Sequence, residues 1–288
     1  ETNGPSMMRV HAVSGDDGLL RRLSAGAYRA RVHSVFASVV NLECASSRTL
    51  HTLACAHVDN APATLVVDLP SFARLGLATG ADARCTGTTL CSGSLEVSLE
   101  RAEGWSPALP EWPHGGMPVS WLRDLLARKR PGGDTGPLDA RLREVTSALE
   151  AALRHGDVDA AHEHAARLVG LGPGLTPAGD DWLVGLATIC SVPGSPVGDL
   201  RSLLVRLVDD AVERTNDISH AAMVHAVQGR VRESITELVT AMAHGDRAAM
   251  ERRGTQVMLI GASSGTAILT GMLAGLELAE HRTGTGRP

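Results

Sequence analysis

The residues best placed to do chemistry lie in one segment, Gly170-Leu171-Gly172-Pro173-Gly174-Leu175-Thr176-Pro177-Ala178-Gly179-Asp180-Asp181. Its glycines admit positive φ and a close backbone approach. Thr176 followed by Pro177 is a helix start, with threonine at N-cap and proline at N1. A glycine loop feeding a helix N-terminus suits an anion, and Gly172, Gly174, Thr176 and Gly179 are expected to line that site. Asp180 and Asp181 then fall in the first turn, about 100° apart around the axis. Offsetting the helix dipole would be worth roughly 0.3–1 kcal/mol for each. As catalytic groups they would orient a substrate amide, activate a water or hold Mg²⁺ through retained waters.

Two other polar clusters interrupt apolar helices. Arg214-Thr215-Asn216-Asp217-Ile218-Ser219 joins two of them, with Ser219 or Asp217 as the expected N-cap. Arg214 is the best-placed residue for a bidentate grip on phosphate or carboxylate, with Thr215, Asn216 and Ser219 beside it. Gly261-Ala262-Ser263-Ser264-Gly265-Thr266 breaks an uncharged run from Thr255 to Leu276. Ser263, Ser264 and Gly265 there must be satisfied by local backbone or by a ligand.

Several chemistries are excluded by residue type. The glycine loop follows a helix and lacks the third fingerprint glycine, so it is no dinucleotide turn. No lysine follows Gly179, and among 27 basic residues only Lys129 is a lysine, in the run Arg128-Lys129-Arg130. Neither a phosphate-loop lysine nor a Schiff base is therefore expected. The cysteines (Cys44, Cys55, Cys85, Cys91 and Cys190) form no CxxC pair, which argues for reduced thiols without zinc. His162 and His164 face different sides of a helix and read as surface residues. His220 and His225 are badly spaced for a metal, and His33 reads as structural. A net charge of −5 and 2% aromatic content argue against nucleic acid. With residues 1–6 set aside, no basic stretch followed by an apolar one opens the sequence, so no signal peptide is expected. The run from Thr255 to Leu276, despite its Gly271-x-x-x-Gly275 spacing, is divided into pieces too short to span a bilayer. The expectation is a soluble, cytoplasmic protein with no membrane partner.

These residues need a scaffold, which the sequence divides into two textures. From Arg29 to Arg101 the pattern is strand-like, with candidates at Arg31–Phe36, Thr49–Ala54, Thr64–Leu69, Ala83–Thr89 and Ser94–Leu99. Gly80 and Gly93 punctuate them, and Ser71–Leu77 reads as a short helix. Gly104 to Pro118 is Pro/Gly-rich, followed by a helix from Val119 to Arg128 and a breaker at Pro131-Gly132-Gly133-Asp134. Beyond Pro137 helical spacing predicts segments at 138–155, 158–169, 177–190, 199–213, 219–228, 232–243, 247–259 and 266–280. The expected class is α+β. Residues 7–103 form a mostly antiparallel β-sheet or barrel, 104–137 a linker with a short helix, and 138–283 an all-helical domain.

The glycine/Asp-Asp motif, then Arg214-Thr215 with Ser219, then Gly261-x-Ser-Ser-Gly265, resembles the bacterial family typified by the AllH subunit of oxamate carbamoyltransferase. The resemblance covers nearly the whole chain, and the glycine motif is its most specific part. It implies carbamoyl transfer in purine-derived nitrogen catabolism, with oxalurate and phosphate interconverting with oxamate and carbamoyl phosphate. It also implies partner subunits. No cofactor is assigned, and Mg²⁺ on Asp180 and Asp181 is compatible. Two positions depart from the family pattern: Ala262 stands where a histidine is expected and Ala267 where an aspartate is. If those positions touch substrate in relatives, the resemblance implies an altered substrate or lost activity. A non-catalytic partner subunit or binding module, and a metal-assisted enzyme on another amide, are the alternatives.

Overall fold

The computed structural model describes residues 7–129 and 136–284. Residues 1–6 and the breaker at Pro131–Asp134 lie outside them. The chain divides into two units, the first ending at Pro107 and the second beginning at Ala108.

The first unit runs β1 (Met8–Asp16), α1 (Asp17–Ser24), β2 (Arg29–Val35), β3 (Val39–Cys44), β4 (Leu50–Cys55), β5 (Thr64–Val67), β6 (Asp82–Thr86), β7 (Thr89–Ser92), β8 (Leu95–Ser98) and β9 (Glu103–Trp105). The strand order is β5-β4-β3-β2-β6-β7-β8-β1-β9, and a further pairing of β1 with β5 closes the first eight into a barrel. Closure leaves those eight strands without free edges. β1 with β8, β1 with β9 and β4 with β5 are parallel, and the remaining ladders are antiparallel. Alternation fills the interior: Ala30 and Val32 of β2, Ala83 and Cys85 of β6, and Leu95 and Val97 of β8 are buried. Asp16 ends β1 and caps α1, its Oδ1 accepting from Gly18 N at 2.7 Å and its Oδ2 from Ala63 N at 2.6 Å.

The predicted strand at Ala83–Thr89 is instead a hairpin, β6–β7, turning at Gly87 with φ +57°. Ser71–Leu77 is not a helix. Phe72 is buried in the barrel core and its N–H donates to Ala37 O at 2.8 Å, which pins the segment as turns.

The second unit contains α2 (Val119–Lys129), α3 (Pro137–His155), α4 (Val158–Leu168), α5 (Ala178–Cys190), α6 (Arg201–Asp209), α7 (Asp217–Val227), α8 (Glu233–His244), α9 (Arg247–Met258) and α10 (Ser264–Thr283). The predicted helix over 199–213 is shorter than expected. A 3₁₀ turn at Gly198–Leu200 precedes α6, and turns follow it to Arg214. Val119, Trp121, Leu122 and Leu125 of α2 belong to the core of this unit.

Every residue of α5 from Gly179 to Cys190 is buried, so it serves as the central helix. Long, largely uncharged α10 packs against it, and three glycines set how closely. A Cβ on Gly185 would overlap the Ile268 carbonyl oxygen, and one on Gly271 would overlap that of Trp182. A Cβ on Gly275 would press on the Ile189 side chain at 2.9 Å. The small-residue spacing at Gly271 and Gly275 thus serves helix contact. Among the described residues no helix is long and apolar enough to cross a membrane.

Candidate functional site at the N-termini of α5 and α10

The glycine loop doubles back on itself between α4 and α5. Leu171 N donates to Leu168 O at 2.9 Å, and Gly179 N donates to Leu171 O at 2.9 Å. Gly172 adopts φ +130°, and a Cβ there would come to 2.7 Å from Ala178 N. Gly170, at φ +72°, lies so close to the Arg214 carbonyl oxygen that a Cβ would overlap it, and Gly179 stands likewise against Leu168 O. Gly174, at φ +92°, has open space around it. The expected N-cap is displaced by one residue: Pro177 occupies it, α5 starts at Ala178, and Thr176 turns its hydroxyl elsewhere.

Asp180 is fully buried and ties two motifs together. Its Oδ1 accepts from Gly170 N at 2.7 Å. Its Oδ2 accepts from Ser219 Oγ at 2.7 Å and from Thr215 Oγ1. A carboxylate receiving three donors is well satisfied despite its burial. Asn216, rather than Ser219 or Asp217, caps α7, accepting from Ile218 N at 3.1 Å and Ser219 N at 3.0 Å. Its Nδ2 donates to Leu175 O at 2.8 Å, which anchors the far end of the loop.

Asp181 faces the third motif. Thr176 Oγ1 and Ser264 Oγ are 2.8 Å apart, which joins the loop to the start of α10. Asp181 is only 6% exposed, and its Oδ2 has no hydrogen-bond partner. Burial, with the neighbouring Asp180 carboxylate, pushes its carboxyl up to about 6, against the pull of the Ser264 and Thr176 hydroxyls. A carboxyl so placed can exchange a proton near neutral pH.

The other expected residues are distributed around this centre. Gly265 is buried, donating its N–H to Ile260 O at 3.0 Å, and a Cβ there would overlap Val257 O. Ser263 is exposed at the α10 N-cap and makes no side-chain capping bond. Arg214 is exposed, and its Nη2 donates to Ala166 O of α4 at 2.5 Å. Its backbone packs on the glycine loop while its guanidinium serves the α4 end. The structure therefore gathers Asp180, Asp181, Thr176, Thr215, Asn216, Ser219 and Ser264, and leaves the Arg214 charge and Ser263 at the margin.

Two contributions were not singled out from the sequence, the Gly170 N–H and the Leu175 carbonyl, because backbone groups carry no residue-type signal. The exposed side chains of Leu175 (51%) and Leu259 (77%) flank the two loops. Of the histidines read as surface residues, His164 is half-buried, with an Nδ1 that has no hydrogen-bond partner. Among the described residues no group of three or more His, Cys, Asp or Glu is arranged to hold a metal. Asp180 has given its oxygens to N–H and O–H donors, so Asp181 alone would face a cation.

The raised Asp181 pKa has a consequence for stability. The folded state holds this proton up to about pH 6, whereas an ordinary carboxyl releases it near 3.8. The stability this group allows is thus complete below about pH 4 and is lost as pH rises through 6. Two units correspond to a cost on the order of 3 kcal/mol at neutral pH. Asp181→Asn is expected to be more stable than the wild type at pH 7.5, with the gap closing towards pH 4.5. Urea unfolding of both proteins across that range checks this; a gap independent of pH would contradict it.

A sequence profile described as oxamate carbamoyltransferase subunit AllH matches residues 168–276, and one described as the AllH family N-terminal domain matches residues 11–104. The chain belongs to the AllH family. The first match runs from the end of α4 into α10, and so contains every side chain gathered at this candidate site. The second covers most of the barrel. The chain is thus related to a carbamoyltransferase subunit. No solved structure matches it. Of the two positions expected to differ from the family pattern, Ala262 is exposed in the loop before α10 and Ala267 is buried in its first turn.

Proposed function

We propose that this chain is a subunit of a carbamoyltransferase acting on an oxamate- or oxalurate-type substrate, and that the ligand binds where the glycine loop meets the start of α10. The observation that carries this reading is the pair of unlike aspartates at the convergence of three motifs. Asp180 is satisfied by three donors and fixes the architecture, while Asp181 is buried with an unpartnered oxygen. Pushing adjacent carboxyls into different environments is how a site separates a positioning role from a proton-handling one. Thr176 and Ser264 supply hydroxyl donors for a carbonyl oxygen or its developing charge. Direct transfer of the carbamoyl group between two bound partners relies on positioning and needs no covalent nucleophile.

A second reading, a non-catalytic subunit that binds the ligand for a partner chain, is favoured by the exposure of Leu175 and Leu259 beside the site. Turnover by the lone chain would exclude it.

The test is a thermal-shift screen of the purified chain against carbamoyl phosphate, phosphate, oxamate, oxalurate and Mg²⁺. A ligand at about a hundred times its Kd stabilises the fold by roughly 2.7 kcal/mol. A shift with oxamate, oxalurate or carbamoyl phosphate that Thr176→Val weakens supports the site. Shifts with Mg²⁺ alone would move the reading to a metal-assisted reaction. No shift with any of them, either alone or with partner subunits present, would sink it.

A further inference from the structure

We propose that Asp181 Oδ2 meets the amide nitrogen of the ligand, so that this chain holds the nitrogen end of an oxamate-type substrate and leaves its anionic end facing outward. This rests on the functional reading above and gives it a direction.

An acceptor buried without a partner within the chain is open to a donor from outside it. The surroundings select which donor. The groups acting on Asp181 are Asp180, Ser264 and Thr176, with no arginine among them. The Arg214 guanidinium, which donates one N–H to the Ala166 carbonyl of α4, is not among the groups acting on Asp181. A phosphate or carboxylate pushed against Asp181 would therefore meet like charge without a countercharge. A divalent cation would find a single carboxylate, because the oxygens of Asp180 already receive Gly170 N–H and the hydroxyls of Thr215 and Ser219. A neutral N–H needs one acceptor only. The Thr176 and Ser264 hydroxyls, 2.8 Å apart, share one O–H between them, and the other, drawn to Asp181 while no ligand is bound, can turn to the carbonyl oxygen that flanks the nitrogen in any amide.

This placement assigns Asp181 a proton. When a phosphate oxygen bonds to the carbamoyl carbon of an oxalurate-type substrate, the bond from that carbon to the amide nitrogen breaks. The electron pair stays on nitrogen, which takes a proton from the Asp181 carboxyl to give the free amide. In reverse, the amide nitrogen bonds to the carbamoyl carbon, phosphate leaves, and Asp181 takes the proton back. The phosphate must then be met by cations of another subunit.

Oxamate and oxalate test this, because they share a carboxylate and differ at the NH₂. Their affinities for the full chain are measured by titration calorimetry, and hydrogen–deuterium exchange locates the binding. Oxamate should bind at least about tenfold more tightly, the low end for a hydrogen bond to a charged group, with protection at 170–181 and 261–265. Asp181→Asn should bring the two to within about threefold, since a side-chain amide accepts from one and donates to the other. Equal affinities in the wild type, or an unchanged preference in Asp181→Asn, with protection still at those loops, overturn the orientation and leave the site standing. Protection elsewhere, or none with either probe, overturns both.

Discussion

Gly271→Ala should cost the helical unit about 3 kcal/mol or more and lower its unfolding midpoint without disturbing the barrel. The new methyl would occupy the position of the Trp182 carbonyl oxygen, and a backbone carbonyl in the centre of α5 has no room to yield. Overpacking of this kind ordinarily costs 1–3 kcal/mol, at the upper end where backbone must move. Helix propensity acts in the opposite direction, since alanine is favoured over glycine by about 1 kcal/mol. The two effects separate at Gly174, where a Cβ meets nothing and only the φ of +92° opposes it. Gly174→Ala is therefore expected to lose on the order of 1 kcal/mol from strain alone. Urea titrations followed by tryptophan fluorescence report the helical unit through buried Trp182 and Trp121. Gly271→Ala within about 1 kcal/mol of the wild type would mean that α5 and α10 are not held this closely.

Asp180→Ala is expected to be nearly as damaging for a different reason. It removes the common acceptor of Gly170 N–H, Thr215 and Ser219, and leaves those donors in a buried place without a partner. Stranded buried donors cost about 1–3 kcal/mol each, less wherever a hydroxyl can rotate to another acceptor. A loss of about 3 kcal/mol is expected, with faster amide exchange at Gly170. Asp180→Ala combined with Ser219→Ala should cost less than the sum of the two, with a coupling of about 1–2 kcal/mol. Strict additivity would show that the two side chains do not cooperate. Loss of ligand binding in an Asp180 variant reports the collapse of the loop. Asp181 variants are the ones that report contact.

The sequence revealed the fold where local pattern decides it. Helical spacing after Pro137 and β-branched runs such as Thr64–Val67 announce their elements. β1 was missed because a strand carrying Arg9, His11 and Ser14 lacks the run of apolar residues that marks its neighbours. Barrel closure was left open because the β1–β5 pairing joins strands far apart in sequence. At the site, residue types identified the three motifs but not the division of labour. Nothing in the adjacent letters of Asp180 and Asp181 says that one is saturated and the other is not; that depends on Thr215 and Ser219, on another helix. Arg214 read as an anion grip because arginine is the residue that grips anions; that one of its N–H groups donates to the Ala166 carbonyl of α4 is a tertiary contact no local pattern announces.

The Thr176–Ser264 bond closes a separation of 88 residues, and the Asp180 bonds to Thr215 and Ser219 close separations of 35 and 39. Contacts of that range cannot form until the helices between them have docked, so they come late in folding and are given up early in unfolding. Substitutions there should quicken unfolding more than they slow folding. A ligand lodged between the glycine loop and α10 would act as a brake on the opening of the whole unit. The lifetime of the native state would then depend on how much substrate is at hand.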